Sequence, residues 1–272
     1  MIRRKPGSKR RGKRPAALRP IVCSASPVVS VIIPAANERR TIASVIRHSR
    51  LVHPDTEVIV VANGSSDGTA RIAERLGARV IRYENRLGHD VGRSIGARAA
   101  KGDILLFVDG DFAVPARDLR PLVKAVKDGR TDVALNSYLG SVDKAVVHEV
   151  VLAKHALNAA LGRPDLKGAS MTTVPHAIHR QAAEAIGFEH LSVPPKAQAI
   201  AIARGLRIRP VHFIHVGKKN RKRKKRRGED PVGDLIVGDH LEAMQWHIER
   251  TGNRGGFHDH TRDRTKLRWD HD

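Results

Sequence analysis

The chain has 272 residues, of which 50 are Lys or Arg and 28 are Asp or Glu, so its formal net charge is +22. This length suffices for one large domain or two small ones with a substantial core, and a hydrophobic fraction of 40 % excludes a chain that is disordered throughout. The single cysteine, Cys23, excludes a disulfide framework and fits a reducing compartment.

The positive charge is concentrated in two segments. Residues 1–19 and residues 218–227 (KKNRKRKKRR) each hold nine basic residues and no acidic one. The rest of the chain then carries 32 basic and 28 acidic residues, so it is nearly balanced. Such blocks fit a solubilising tail, an anionic membrane surface or a polyanionic partner. No aromatic residues alternate with the basic ones, so no specific nucleic-acid partner is expected.

The sequence also indicates where the protein is located. It contains no run of eighteen apolar residues, so no transmembrane helix is expected. The basic N-terminus is not followed by the long apolar stretch of a secretory signal. We therefore expect a cytoplasmic protein, with peripheral attachment to the inner membrane surface through the basic arm as an open alternative.

The first half of the chain alternates apolar runs with helical patterns. Runs rich in β-branched residues, such as VVSVII at 28–33, are typical of strands buried on both faces. The predicted strands are 28–33, 57–61, 78–83, 104–108 and 132–136. The predicted helices are 41–51, 69–76, 92–100 and 118–127. This alternation predicts an α/β fold with a mostly parallel, Rossmann-like sheet and helices on both faces.

The second half is less regular, and it predicts a mixed C-terminal region. The predicted helices are 147–161, 176–186, 196–204 and 232–250, and one strand is predicted at 206–214. The last twenty residues are polar and include three histidines.

Polar residues follow three of the predicted parallel strands, at the edge where open α/β sheets bind ligands. They are the segments Pro34–Glu38, Asn63–Asp67 and Asp109–Asp111. The last, Asp-Gly-Asp, places two carboxylates so that both can face one small volume. Divalent cations such as Mg²⁺ and Mn²⁺ prefer oxygen ligands of this kind. Taken alone, the same residues also fit an ordinary Asp-Gly turn.

The three segments together resemble the family 2 glycosyltransferases, which have the GT-A fold. The resemblance is carried by VSVIIPAANE (29–38), EVIVVANGSSDGT (57–69) and ENRLGHDVGRSIGARAAKGDILLFVDGD (84–111). It implies a metal-dependent transfer of a sugar from a nucleotide-diphosphate donor, such as a UDP- or GDP-sugar, with inversion. The acceptor is unknown, and the basic segments fit an anionic or membrane-associated one. Oligomeric state cannot be read from the sequence.

The resemblance also divides the chain and implies the residues of a donor site. The parts are a disordered basic arm (1–27), a donor half (28–136), an acceptor-side half (137–216), a basic loop (217–230) and a C-terminal helix with a polar tail (231–272). The implied donor-binding residues are Pro34, Ala35, Asn37, Glu38, Asn63, Gly64, Ser65, Asp67, Gly88, His89, Arg93, Asp109, Gly110 and Asp111. Asp109 and Asp111 resemble the family's DxD motif and are the expected ligands of Mg²⁺ or Mn²⁺.

The sequence departs from the family pattern at two donor positions. Ala62 and Asn63 stand where the family often has two acidic residues, so the identity of the nucleotide stays open. His89 follows Gly88 where a Lys is common, so a phosphate contact there would depend on pH.

The general base and the third metal ligand are less clearly indicated. Inverting members carry an acidic pair before a helix, but the sequence there reads Ser-Val-Pro-Pro at 192–195. Glu189 and Asp239 are the candidate bases, although an Asp beside a His in a helix is also common as a packing feature. His212 and His215 would face opposite sides of a strand, so at most one of them would bind the metal. His215 is the preferred candidate of the two, and a solvated or buried histidine without a metal stays the alternative.

Two other functions fit parts of the sequence. A nucleotidyltransferase of similar fold needs a glycine-rich loop after the first strand, and the loop here, PAANERR, has no glycine. A non-catalytic protein that binds polyanions or a membrane surface on a GT-A scaffold fits the missing acidic pair, but it does not explain Asp109 and Asp111.

Overall fold

The structure is a computed structural model that describes residues 22–142, 145–216 and 230–263, together with residue 266. Nearly all of the predicted basic arm and basic loop lies outside the described residues, as does the end of the polar tail.

Seven strands form one sheet in the part of the chain that the structure describes. They are β1 (Val29–Ala35), β2 (Thr56–Asn63), β3 (Arg79–Tyr83), β4 (Ile104–Phe107), β5 (Val133–Asn136), β6 (His176–His179) and β7 (Ile208–His212). Their order in space is β3-β2-β1-β4-β6-β5-β7. All neighbouring pairs are parallel except those of β6, which is antiparallel to both β4 and β5. The prediction of a mostly parallel sheet is confirmed.

Helices cover both faces of this sheet. They are α1 (Ile42–Arg50), α2 (Thr69–Arg75), α3 (Val91–Ala99), α4 (Ala116–Lys127), α5 (Glu149–Ala160), α6 (Arg180–Ile186), α7 (Pro194–Ala203) and α8 (Pro231–Thr251). Two short 3-10 helices occupy Pro164–Leu166 and Phe188–Ser192. Within the described ranges no helix is both long and apolar enough to cross a membrane.

The buried side chains of β1 show how the sheet divides the core into two layers. Val31 and Ile33 belong to one apolar cluster, and Ile32 belongs to the other. This follows from the alternation of side chains along a strand. All three residues are fully buried, which explains why the sequence of β1 is continuously apolar rather than alternating.

Each core layer is closed by its own helices. The layer of Val31 includes residues from α1, α2 and α4, whereas the layer of Ile32 includes residues from α3, α6 and α7. A third, smaller cluster joins α8 to α5 and α7 through Leu157, Ala199 and Ala243. Helix α8 therefore reaches the body of the protein by packing on two helices that follow the donor half in sequence.

Two predicted elements differ from the structure. The segment 176–186, predicted as one helix, is a strand followed by a helix that begins at Arg180. The sequence has no turn residues between them because His179 itself caps the helix, its Nδ1 accepting a hydrogen bond from the Gln181 N–H at 3.3 Å. The predicted strand 206–214 is shorter and covers only Ile208–His212.

Helix α3 lies unusually close to β1 because glycines face the strand. A Cβ atom on Gly96 would lie 2.4 Å from Cγ2 of Ile32, and one on Gly92 would lie 3.1 Å from Cβ of Pro34. Any larger residue at Gly96 would push the helix away from the sheet.

We therefore expect Gly96→Ala to lower the free energy of unfolding, because overpacking of this kind costs about 1–3 kcal/mol. The matched control is Gly238→Ala in α8, where a Cβ would have no atom within 4 Å. There the better helix propensity of Ala should raise stability by about 0.5–1 kcal/mol. Urea denaturation measures both changes, and equal stability of the two variants would contradict the close packing of α3.

Candidate functional site

The loops after β1 and β2 are joined side by side at the carboxyl edge of the sheet. The backbone N–H of Asn37 donates to Oγ of Ser65 at 3.1 Å, and Oδ1 of Asn37 accepts from the N–H of Ser66 at 3.0 Å. The N–H of Arg39 donates to Oδ2 of Asp67 at 3.0 Å. Asn37 adopts a left-handed backbone with φ +61°, which its short polar side chain tolerates. The two loops therefore form one wall.

Asp67 holds this wall together. Partial burial acts to raise the pKa of Asp67, but hydrogen bonds from the Thr69 side chain and from the backbone N–H groups of Arg39 and Thr69 outweigh it and hold the pKa below its usual value. The carboxylate is thus ionised and bound to protein donors, so its role in the structure is to position the loop.

The Asp-Gly-Asp turn is tied to the same wall. Oγ1 of Thr41, at the start of α1, donates to the carbonyl of Gly110 at 2.7 Å, and the Thr41 side chain also approaches Oε2 of Glu38 at 3.4 Å. A Cβ on Gly110 would lie 3.0 Å from both Cβ of Ala35 and the carbonyl oxygen of Pro34. Glycine is needed between the two aspartates because the turn passes so close to the end of β1.

Asn63 connects the end of β2 to the loop before α3. Its Oδ1 accepts from the N–H of Leu87 at 2.5 Å, and its Nδ2 donates to the carbonyl of Gly88 at 2.9 Å. The neighbouring Gly64 has φ +59°, and a Cβ there would lie 2.8 Å from Cγ of Arg86. These bonds use half of the hydrogen-bonding capacity of the Asn63 amide, and the other half can reach a ligand.

A buried guanidinium lies at the centre of the site. Arg93 is only 5 % exposed, and its Nη2 lies 2.9 Å from Oδ1 of Asp90 and 3.5 Å from Oδ1 of Asp109. Its Nη1 is buried and has no hydrogen-bond partner among the described residues. Nε2 of His89 lies 3.7 Å from Oδ1 of Asp90, whose backbone is left-handed with φ +60°. A buried donor without a partner indicates that a ligand completes this arrangement.

Arg93, His89, Asp90, Asp109 and Asp111 form a group that we call the Arg93 cluster. Its three carboxyl groups exceed the single positive charge of Arg93. Burial raises the pKa of Asp109, the Arg93 guanidinium opposes that rise, and the carboxylates of Asp111 and Asp90 add to it. Acidic groups that raise one another's pKa in this way are stabilised by an added cation. The donor set of Asp109 and Asp111, oxygen atoms alone, fits Mg²⁺ or Mn²⁺.

Helix α8 brings a further acid to the same place. Burial raises the pKa of Asp239 to about 6, with contributions from the negative charges of Asp90 and Glu242, while His89 and Arg93 act in the opposite direction. These contributions indicate that the Asp239 carboxyl lies near enough to Arg93, Asp90 and His89 to interact with them electrostatically, although more than 140 residues of sequence separate it from Arg93.

Glu189, the other candidate base, lies elsewhere. Its carboxylate lies 3.9 Å from Nη2 of Arg98 and 3.8 Å from Nε2 of His190, and its carbonyl accepts from Oγ of Ser94. It therefore packs on a different face of α3 from the one that carries Arg93, and the structure does not bring it to Asp109.

His212 is the last residue of β7, and His215, the candidate metal ligand, lies three residues further on. The ring of His215 packs against Tyr138 and Phe213, with centroids 5.6 and 6.0 Å away. The backbone of His212 pairs with β5, where its carbonyl accepts from Ser137. Among the described residues, the one group of three potential metal ligands within 4.8 Å of one another is His148, Glu149 and Asp230, so Asp109, Asp111 and His215 do not form such a group.

Two residues of this site, Asp90 and His176, were not predicted from the sequence. Asp90 had a detectable signal, since it precedes Arg93 by three residues at the start of a predicted helix. His176 did not, because it was assigned to a helix. It stacks on Phe107 at 4.9 Å, and burial together with the charge of Arg93 lowers its pKa to about 3, so the ring is neutral.

The chain is similar to known sugar-transferring proteins in sequence. It is 39 % identical over 136 residues to the glycosyltransferase AglD of Haloferax volcanii, covering 46 % of this chain and 22 % of that protein. It is also 39 % identical over 102 residues to glucosyl-3-phosphoglycerate synthase of Mycolicibacterium paratuberculosis, covering 34 % and 30 %. The chain thus spans less than a third of the length of either relative.

The fold is similar to that of a solved structure. Glucosyl-3-phosphoglycerate synthase from Mycobacterium tuberculosis, crystallised with Mn²⁺, UDP and phosphoglyceric acid, matches with a TM-score of 0.58 and 20 % identity, over 87 % of this chain and 81 % of that one. This likeness confirms the GT-A fold.

A sequence model of glycosyl transferase family 2 matches residues 30–182, which is more than half of the chain. The matched segment contains β1 except for its first residue, all of β2 to β6, and Arg93 with Asp90, Asp109 and Asp111, whereas Asp239 lies outside it. On this match the chain belongs to glycosyl transferase family 2.

Proposed function

We propose that the protein transfers a sugar from a nucleotide-diphosphate donor to an acceptor, in a reaction that needs Mg²⁺ or Mn²⁺. The observation that carries this proposal is the Arg93 cluster, a buried guanidinium with one unpartnered nitrogen among a surplus of carboxyl groups. Family membership and the named transferases among the relatives support the same activity.

The metal would be held by Asp109 and Asp111. Their oxygen atoms suit a hard divalent cation, and the raised pKa of Asp109 indicates that the site gains from one. When bound, the metal neutralises the diphosphate and assists its departure as the leaving group. The Mn²⁺ and UDP in the related synthase structure support this choice. A role for His215 as a third ligand stays a prediction.

The protein's own groups would bind the rest of the donor. Nη1 of Arg93 is placed to donate to a phosphate oxygen, and His89 beside it can add a second contact. The wall formed by Pro34–Glu38 and Asn63–Asp67 would bind the base and ribose, since hydrogen bonds between its side chains and backbone N–H groups hold the two loops in one arrangement. The nucleotide is proposed to be UDP or GDP.

Asp239 is the group we propose as general base. A pKa of about 6 keeps its carboxylate ionised at neutral pH yet basic enough to take a proton from a hydroxyl. Its position beside Arg93 would place it next to the sugar end of the donor, where an acceptor attacks. A base that activates the acceptor for direct attack on C1 leads to inversion of the anomeric configuration.

We expect binding of UDP or GDP to depend on Mg²⁺ or Mn²⁺ and to be lost in Asp111→Ala. Removing one of two metal ligands should weaken binding at least tenfold, or about 1.4 kcal/mol. Isothermal titration calorimetry at moderate salt measures this, because salt suppresses loose binding to the basic segments.

The matched control for this titration is Asp103→Ala, an exposed acid at the opposite end of β4. It should bind the nucleotide like the unaltered protein. Binding that is metal-independent, equal for both nucleotides and unchanged in Asp111→Ala would contradict the transferase proposal. It would favour a polyanion-binding protein on the same fold.

We expect Asp239→Asn to lower kcat by a factor of about 10² to 10⁴ without changing nucleotide binding, because it removes the base and leaves the donor contacts. Hydrolysis of the sugar nucleotide selected by calorimetry, with water as acceptor, gives the rate. In the unaltered protein the rate should fall below about pH 6, where Asp239 becomes protonated, and Asp239→Asn should lose this limb.

Asp234→Asn, on the exposed first turn of α8, is the control and should leave the rate and its pH profile unchanged. The anomeric configuration of the first-formed sugar, read by NMR, tests inversion separately. Retention of configuration, or an unchanged rate in Asp239→Asn, would remove Asp239 from the role of base.

A further inference from the structure

Lys154 on α5 is a partly buried cation without an anionic partner. Its Nζ donates to Oγ1 of Thr173 at 2.7 Å, and Thr173 is only 4 % exposed. No Asp or Glu among the described residues lies within ion-pair distance of this ammonium. A cation taken out of water without a counter-charge is costly to the folded protein, so its presence calls for an explanation.

The electrostatics of Lys154 agree with this description. Burial lowers its pKa to about 8, and no carboxylate opposes the shift. The ammonium is therefore charged at neutral pH but poorly compensated, and a bound anion would stabilise it.

The charge of Lys154 affects the pKa of His240 on α8. Burial lowers the pKa of His240 to about 4, and the positive charge of Lys154 contributes to the shift. The ring is thus neutral. Its Nδ1 lies 2.6 Å from the carbonyl of Ile236 and must be the donor there, which makes Nε2 a hydrogen-bond acceptor. This Nε2 is buried and has no partner among the described residues, so it can accept from a ligand hydroxyl.

A short series of contacts connects Lys154 to the donor site. Thr173, which accepts from Lys154, also has its backbone beside the ring of His176. The charge of Arg93 reaches His176, and Arg93 pairs with Asp109. On α8, His240 is affected by the charge of Lys154, and the preceding residue, Asp239, is affected by the charge of Arg93. Lys154 is therefore connected to Arg93 both through Thr173 and His176 and through these two residues of α8.

We propose that Lys154 and the hydroxyl of Thr173 bind an anionic group, a carboxylate or a phosphate, carried by the acceptor. The inference rests on the proposed function, since it assigns the acceptor side of the same cleft. It predicts an acceptor that carries both an anionic group, which binds at Lys154, and the hydroxyl that receives the sugar. A neutral acceptor would leave the ammonium unpaired.

Titration calorimetry of inorganic phosphate, glycerate and glycerol tests this proposal on the full chain. The two anions represent the two possible groups, and glycerol carries the hydroxyls of glycerate without its charge. The test variant is Lys154→Met, which keeps the length of the side chain and removes the charge. Lys101→Met, at the amino end of β4, is the control. All three proteins keep the basic segments, so their difference isolates Lys154.

We expect Lys154→Met to weaken the binding of phosphate, glycerate or both by about ten- to a hundredfold, the usual value of hydrogen bonds to a charged group. Lys101→Met should bind like the unaltered protein, and glycerol should bind weakly to all three. Equal anion binding by Lys154→Met and the unaltered protein would overturn the proposal. UDP or GDP with Mg²⁺ is titrated alongside, so a failure of donor binding is seen separately.

Thermal denaturation provides a second readout. If Lys154 is retained for a ligand, Lys154→Met should have an unchanged or higher Tm without ligand, because an uncompensated cation has been removed. A clearly lower Tm together with unchanged anion binding would show that Lys154 serves the fold through Thr173. Thr173→Val should weaken anion binding less than Lys154→Met, because it removes a hydroxyl and keeps the charge.

Discussion

The buried guanidinium of Arg93 is the group on which the rest of the site depends. It is held between Asp90 and Asp109, and it reaches them only because the glycines of α3 allow that helix to lie against β1. Burying an arginine is unfavourable unless carboxylates compensate its positive charge. Here the negative charge of the surrounding carboxylates exceeds the positive charge of Arg93. In the proposed function, the surplus of negative charge would favour a divalent cation, and the unpartnered Nη1 would donate to an anionic ligand.

In the loops of the donor site, many polar side chains form hydrogen bonds to a neighbouring loop. Asp67 is bound by backbone and hydroxyl donors, and Asn37 and Asn63 each connect two loops. The sequence predicts that these same residues contact the nucleotide. In the structure several of them also connect the loops to one another, which fixes the backbone so that little entropy is lost on binding.

The donor half was predictable because its signals are local. Continuous β-branched runs mark strands buried on both faces, and parallel strands bring their carboxyl ends to one edge. Asp109 could therefore be placed at the same edge of the sheet as Asn63 without a structure. The approach of Asp239 could not be derived, because it depends on how α8 packs on α5 and α7. Strand β6 could not be predicted for another reason, because its four residues are followed directly by α6 without a turn.

The two proposed substrates are both anionic, so they repel each other when they bind in the same cleft. A nucleotide diphosphate and an anionic acceptor must approach each other for transfer, and two unit charges about 5 Å apart repel by about 3 kcal/mol at an effective dielectric constant of 20. Arg93 is already paired with Asp90 and Asp109, so it cannot neutralise both ligands. A metal at Asp109 and Asp111 would compensate the donor, and Lys154 would compensate the acceptor. With a separate cation for each anion, the two substrates could bind together, and the Asp239 carboxylate would then be free of both cations to take the proton.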